Sequence, residues 1–372
     1  MKIGIDISQI VYQTGVSRYT LQLVKQLLKL DQENHYFLYA GSLRQRKVLN
    51  SFIAQVKTKK TKSKVSFLSP NLAAFFWNRL NLFRPDCCQK LDLFHASNWA
   101  IPKTKAKLVT TIHDLTFLKY PRTHTPHSVK THTRHLKRAK KYADRIITDS
   151  ESTKKDLIQY GIPKDKITVI YLAPAKIFKP LKDKQKLKNI KAKYNLKGPY
   201  LLSVGTQEPR KNLKRLIKAH SRLSRQYPKL QLAIAGKFGW GDRSRPVKGV
   251  KLLGFVPDQD LAGLYSGAKA FIYPSLYEGF GFPVLEAMAC GCPVITANIS
   301  SLPELGGQAA LYVNPYKISQ IAEAIKVVLD LSSEKRQAII QKGLIQAKQF
   351  SWKKAAQQTL DVYKEVVSAD RN

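Results

Sequence analysis

Residues 270–296 read AFIYPSLYEGFGFPVLEAMACGCPVIT, and the order of residue types in this stretch decides the fold. Ala270 to Tyr273 is a short apolar and aromatic run suited to a strand. The loop that follows carries Gly279 and Gly281, and Pro283 fits the first turn of a helix, where its missing N–H is no loss. Val294 to Thr296 then resumes a β-branched strand. Two strands joined through a helix pair in parallel, so the stretch predicts α/β architecture and excludes a β-sandwich or a helical bundle.

The same alternation extends in both directions. Strands are expected at Lys2 to Asp6, Tyr36 to Tyr39, Val65 to Leu68, Leu91 to His95, Leu108 to Ile112 and Arg145 to Thr148. A second series falls at Tyr200 to Val204, Gln231 to Ala235, Lys251 to Leu253 and Ala310 to Val313. The clearest helix is Ser17 to Leu30, with Tyr19, Leu23, Leu27 and Leu30 on one face. Helices are also expected at Ile318 to Leu331 and Glu334 to Gln349, and Ser351 is placed to cap a last helix from Trp352. Between the two series the pattern breaks at Tyr171 to Lys182, the best linker. A chain of 372 residues suits two domains, here 1–178 and 179–350. No repeat or heptad run points to a solenoid or coiled coil.

Composition narrows the class. Hydrophobic residues make up 44% of the chain, enough for two real cores. No run reaches the roughly 18 apolar residues of a membrane span, and Met1 to Asp6 enters a strand instead of a signal-peptide core, so a cytoplasmic location is expected. Cys87, Cys88, Cys290 and Cys292 have the spacing of neither a zinc knuckle nor a disulfide framework and are expected to be free thiols. The formal charge is +39. It is evenly shared: 32 basic and 11 acidic residues lie in 1–178, and 32 and 14 follow.

Two acid-free runs stand out. Residues 34–85 hold Arg44, Arg46, Lys47, Lys57, Lys59, Lys60, Lys62, Lys64, Arg79 and Arg84. Residues 115–143 hold Lys130, Arg134, Lys137, Arg138, Lys140 and Lys141. They read either as solvated basic surface or as a docking face for anionic lipid headgroups on the inner face of the cell membrane. The charge alone also admits a nucleic-acid-binding protein, but no stacking aromatics are interleaved with it.

In 270–296 the two carboxylates Glu278 and Glu286 flank a glycine loop and a helix N-terminus. Unpaired N–H groups and the positive end of the helix dipole suit a diphosphate there, with the carboxylates near enough to bond sugar hydroxyls. A second candidate is Ser203 to Asn212, SVGTQEPRKN, a strand end turning into a helix. In a doubly wound sheet ligands bind outside the carboxyl ends of the strands, which is where Arg210 and Lys211 fall. Thr14-Gly15-Val16-Ser17 is a glycine turn opening the first long helix, and His113 follows a strand directly. Asp258-Gln259-Asp260 spells an acid-x-acid metal motif but precedes a helical pattern and reads as capping. His124, His127, His132 and His135 lack a Cys or acid partner, and no Gly-x-Gly-x-x-Gly or Walker loop occurs.

Residues 254–295, GFVPDQDLAGLYSGAKAFIYPSLYEGFGFPVLEAMACGCPVI, resemble the signature of the family 4 glycosyltransferases, and the resemblance continues over nearly the whole chain. It implies the GT-B fold: two Rossmann-like domains facing across a cleft, an acceptor domain and a nucleotide-sugar domain, with 351–372 packing back on the first. It implies a retaining glycosyltransferase whose donor spans the cleft. Donor contacts would come from Gly15, Gly205, Arg210, Lys211, Glu278, Gly279, Phe280, Gly281 and Glu286, with Glu278 on the hexose, Glu286 on the ribose, and Arg210 and Lys211 on the leaving diphosphate. His113 would stand near the hexose, and neither a metal ion nor a cofactor is required. Many members place an Arg where this chain has Thr206, which leaves open which cation contributes most. HDL (113–115), FHASN (94–98) and GTQEPRKN (205–212) look most like the mannosyltransferase branch. This implies GDP-mannose as donor and a saccharide acceptor, and the basic runs at 34–85 and 115–143 point to an acceptor that is lipid-linked, in cell-envelope polysaccharide synthesis. A UDP-sugar donor and a non-catalytic binding protein are the alternatives.

Overall fold

The computed structural model describes the whole chain except residues 13, 43, 67–71, 73–74, 77–79, 81–89, 97–99, 103, 241–246 and 370–372. Expectations for Arg79, Arg84, Cys87, Cys88, Ser97 and Asn98 lie outside the described residues. The chain divides into two compact units, Met1–Leu172 with Ser351–Asn372, and Ala173–Phe350. The division falls a few residues before Phe178, whose ring meets Tyr265 of the second unit edge-on at 6.0 Å.

The first unit is built on seven strands: β1 (Lys2–Asp6), β2 (His35–Gly41), β3 (Thr61–Ser66), β4 (Leu93–Ala96), β5 (Lys107–Ile112), β6 (Arg145–Thr148) and β7 (Ile167–Val169). They lie in the order 3-2-1-4-5-6-7 with every pairing parallel. The inner strands are mostly apolar because helices cover both faces of a parallel sheet; Ile3, Leu38, Leu93 and Phe94 are completely buried, and the polar His95, Thr110 and Thr111 are buried too. The sequence misplaces the two edges. β3 starts at Thr61 instead of Val65, and β7 is not anticipated at all. Lysine-bearing TKSKVS is tolerated because an edge strand pairs on one side only, and charge there also discourages further pairing.

The helix Gly15–Leu30 buries Tyr19, Leu23 and Leu27 as expected, together with Val24 and Leu28, while Leu30 is only partly covered. The last helix, Trp352–Ser368, returns to this unit and packs on Gly15–Leu30, burying Trp352, Ala356, Leu360 and Tyr363. Ser351 holds the cap position in extended conformation, but its hydroxyl makes no capping bond.

The second unit repeats the plan with β8 (Tyr200–Val204), β9 (Gln231–Ala235), β10 (Val250–Gly254), β11 (Ala270–Tyr273), β12 (Val294–Ala297) and β13 (Ala310–Val313), in the order 10-9-8-11-12-13. All pairings are parallel. Asp258 and Asp260 are corrected from caps to first-turn residues, since Pro257 holds the cap position. Asp260 instead accepts from Lys193 Nζ at 2.6 Å and the Tyr194 hydroxyl at 2.7 Å. His132 stacks on Phe117 and His135 is buried against Thr110. Cys290 and Cys292 are free and buried. Among the described residues no helix is long and apolar enough to cross a membrane.

In each unit strand order reverses beside the first strand, between β1 and β4 and between β8 and β11. Ligand crevices form at the carboxyl ends of such strands. At β8 and β9 the approach is so close that a Cβ on Gly236, whose φ is +142°, would lie 1.9 Å from the Gly205 carbonyl oxygen. Gly236→Ala should therefore destabilise the protein by about 2 to 4 kcal/mol, read as a lowered urea midpoint. An unchanged midpoint would show that the two strand ends part easily.

Candidate functional site

Arg210 follows β8 and Glu278 follows β11, and these strands are neighbours, with Ala270 opposite Leu201. The two loops are fastened by the Leu276 N–H, which donates to the Arg210 carbonyl at 2.8 Å. Asn212, in left-handed conformation at φ +59°, supports both: its side-chain amide donates to the Pro274 and Pro315 carbonyls at 3.0 and 2.7 Å. The Glu278 loop is held from the segment after β12, where Ser300 Oγ accepts from the Glu278 N–H at 3.0 Å and the Ser301 hydroxyl shares its one proton between the Glu278 and Phe280 carbonyls.

Glu278 gathers both cations. Arg210 Nη1 donates to its Oε2 at 2.6 Å and Lys211 Nζ to its Oε1 at 2.7 Å. Arg210 also reaches Glu208 Oε1 at 2.5 Å and the Tyr277 carbonyl at 2.7 Å, while Lys211 donates to the Tyr273 hydroxyl at 2.6 Å. The side chains of Arg210, Lys211 and Glu278 are only 15, 11 and 8% exposed, so water screens these contacts weakly. Burial alone would raise the Glu278 carboxyl, but Arg210 and Lys211 outweigh it and hold it at about 2. Burial, then the adjacent Arg210, lowers the Lys211 ammonium. Two cations held by two carboxylates are positioned in advance for an entering anion, which need not order them itself.

The glycines shape the same place. Gly205 has φ +144°, and a Cβ there would lie 3.2 Å from Lys211 Cε. Gly281, at φ +115°, occupies the cap position of the helix Phe282–Ala289, with Pro283 in the first turn. Gly279 and Phe280 are buried in the loop between. Glu286 sits inside that helix, 1% exposed, and accepts from the Tyr265 hydroxyl at 3.2 Å. Thr206 is exposed.

In the first unit His113 follows β5. Its Nδ1 lies 2.6 Å from Asp149 Oδ2, and the pair is 13 and 3% exposed. Burial opposes charge on the imidazole, but the Asp149 carboxylate outweighs it and raises the His113 pKa. Asp149 escaped the sequence reading. Its signal was register: Ile112 pairs with Thr148, so the residues following β5 and β6 stand side by side. Tyr19 meets the His113 ring edge-on at 4.7 Å. A buried hydrogen-bonded chain continues from the Tyr19 hydroxyl to Thr111 Oγ1 (2.8 Å), His95 Nε2 (2.9 Å) and, from His95 Nδ1, the Tyr363 hydroxyl (2.6 Å). The returning helix thus joins the packing behind His113. Gly15 opens its helix at the surface, where the Thr14 N–H donates to Ser17 Oγ at 3.3 Å.

Asp149→Asn tests the dyad. A raised His113 pKa contributes stability below about pH 6.5, the ordinary value, and this is lost as pH rises through the raised one. Without the carboxylate, burial remains and lowers the pKa, so an NMR titration of His113 should move down and the stability change across this window should vanish. An unmoved titration would contradict the pairing.

Both the fold and the sequence have known counterparts. The structure matches sucrose-phosphate synthase from Thermosynechococcus elongatus with a TM-score of 0.73 at 18% identity, covering 99% of this chain and 100% of that one. It matches Anabaena Alr3699/HepE in complex with UDP-glucose with a TM-score of 0.73 at 18% identity, covering 98 and 100%. These place the architecture among GT-B glycosyltransferases. In sequence, O-antigen chain mannosyltransferase B of Escherichia coli is 33% identical over 378 residues, 94% of this chain and 96% of that one. The description Glycosyltransferase Family 4 fits residues 13–173, and Glycosyl transferases group 1 fits 183–346. The chain belongs to the family 4 glycosyltransferases, in the mannosyltransferase branch, and is a hexosyltransferase.

Proposed function

We propose that this enzyme transfers mannose from GDP-mannose, with retention and without a metal ion, to a lipid-linked saccharide in cell-envelope polysaccharide synthesis. The observation that supports mannose as the transferred sugar, and the pathway, is the end-to-end similarity to an O-antigen chain mannosyltransferase. The chemistry rests on the buried Arg210, Lys211 and Glu278 cluster. The bond from the mannose anomeric carbon to the diphosphate breaks, the acceptor oxygen bonds that carbon on the same face, and the acceptor proton leaves with a phosphate oxygen. Arg210, Lys211 and the N-terminus of Phe282–Ala289 stabilise the departing diphosphate. Glu278 orients the hexose and Glu286 the ribose. His113, oriented by Asp149, serves the sugar-transfer step.

A thermal-shift panel of GDP, UDP, ADP and their sugar conjugates, each with and without EDTA, tests this reading, because a ligand of the folded state raises its apparent stability. Selective stabilisation by GDP and GDP-mannose that survives EDTA is expected. A response to UDP-sugars alone would replace the donor, and no response to any nucleotide would remove the reading.

The acceptor part draws on the helix Pro126–Tyr142. Its Lys130, Arg134, Lys137 and Lys141 are exposed and recur at the spacing of one helical face, while His135, Leu136 and Ala139 are buried. Such a face is attracted to anionic lipid by about 1 kcal/mol per cation. Changing all four to Glu should abolish cosedimentation with phosphatidylglycerol vesicles at low salt. Equal binding of the unaltered enzyme to neutral and anionic vesicles would overturn the membrane assignment.

A further inference from the structure

A cavity of ≈ 380 Å³ opens in the second unit, with Gln207, Glu208, Asn212, Lys214, Arg215, Phe238 and Trp240 in its lining. Its lining includes none of Arg210, Lys211 and Glu278, yet the same loop supplies its wall. Small-molecule sites commonly begin at about 300 Å³ and combine apolar walls with a few fixed polar groups. This cavity has that character. Phe238 and Trp240 keep 41% of their surfaces exposed, beside two amides, two cations and a carboxylate.

The walls are built firmly. The segment after β8 and the segment after β9 are bonded to each other: the Gln207 N–H donates to the Lys237 carbonyl at 2.9 Å, the Gly239 N–H to the Gln207 carbonyl at 3.1 Å, and Gln207 Nε2 to the Gly236 carbonyl at 2.8 Å. A Cβ on Gly239 would lie 2.6 Å from Thr206 Cγ2, so these segments touch with no room between them. Arg215 is oriented too, with Nη1 donating to Asn212 Oδ1 at 2.9 Å and its guanidinium 5.5 Å from the Tyr316 ring centre. The backbone from Gly236 to Gly239 is therefore fixed in place, and fixed groups lose less freedom when a ligand arrives.

We infer that this cavity is a saccharide subsite, holding a hexose of the acceptor chain away from the reacting hydroxyl. The inference rests on the reading above that the acceptor is a saccharide. A pyranose offers an apolar C–H face, which suits the exposed indole and phenyl rings. Its rim of hydroxyls both donates and accepts, matching Glu208 as acceptor and Gln207, Lys214 and Arg215 as donors. Contacts remote from the reacting centre let an enzyme spend binding energy on the transition state. They would also favour an acceptor that already carries sugar over a bare one.

Saturation-transfer difference NMR on the full chain, with linear oligosaccharides of mannose, glucose and galactose, tests the subsite in the presence of saturating GDP. At least one series should bind, and Trp240→Ala should weaken it by about tenfold or more while leaving the thermal shift with GDP unchanged. Phe238→Ala gives a second, independent loss. Failure of all three series to bind would overturn the subsite, as would equal binding to both variants. If Trp240→Ala instead removes the GDP shift, the cavity takes the nucleotide and the saccharide assignment falls. Loss of the GDP shift in the unaltered enzyme would strike the donor reading and not this one.

Discussion

Glu278→Gln should lower the turnover of sugar transfer by about a hundred- to a thousandfold and at the same time tighten GDP. The first effect follows from losing a carboxylate that orients the hexose. The second follows from charge: Arg210 and Lys211 sit at 2.6 and 2.7 Å from the Glu278 oxygens and compete, while so paired, with any diphosphate. Removing the competitor should improve GDP affinity by about tenfold, roughly 1.4 kcal/mol. Without ligand the variant should be less stable by about 2 to 4 kcal/mol, because two buried cations lose a partner. Saturating GDP should recover much of that loss. Weaker GDP binding would mean that Glu278 does not share its cations with the nucleotide.

Arg210→Ala should act in the opposite sense on the nucleotide. Its guanidinium bridges Glu208 and Glu278 and is first among the charges that bring Glu278 down to about 2. Turnover should fall by about a hundred- to a thousandfold, with weaker GDP. A depressed carboxyl contributes stability above its ordinary value of 4.5, and this is lost as pH falls towards 2. In Arg210→Ala the Glu278 pKa rises, so that window narrows and the acid-side contribution shrinks. Arg210→Lys should restore little, since one ammonium cannot bond both carboxylates and the Tyr277 carbonyl in the same geometry. An acid-denaturation profile identical to that of the unaltered enzyme would contradict this arrangement.

The stretch 270–296 was legible because its elements are interior. An inner parallel strand must be apolar on both faces, and a glycine loop with a proline after it leaves few ways to start a helix. The start of β3 and all of β7 were not legible for the converse reason: an edge strand has one neighbour and can be polar or only three residues long. The rule that ligands bind at strand ends located Arg210 and Lys211, and the glycine loop before a helix located Glu278. Neither gave a hint that Glu208 completes the charge cluster, because side-chain pairing across loops leaves no periodicity. Asp149 stood in plain view after a predicted strand, but only the pairing of β5 with β6 makes it the neighbour of His113. Glu286 has the expected place on its helix, and its burial against Tyr265 is a tertiary effect that spacing does not carry.

The most direct measurement of the central claim is nucleotide release from GDP-mannose by the purified full chain in EDTA, with a lipid-linked saccharide as acceptor and UDP-glucose as the comparison donor. The account predicts release of GDP from GDP-mannose, transfer of mannose with retained anomeric configuration, and loss of both in Glu278→Gln. Turnover of UDP-glucose alone, a strict requirement for a divalent cation, or full activity in Glu278→Gln would contradict it.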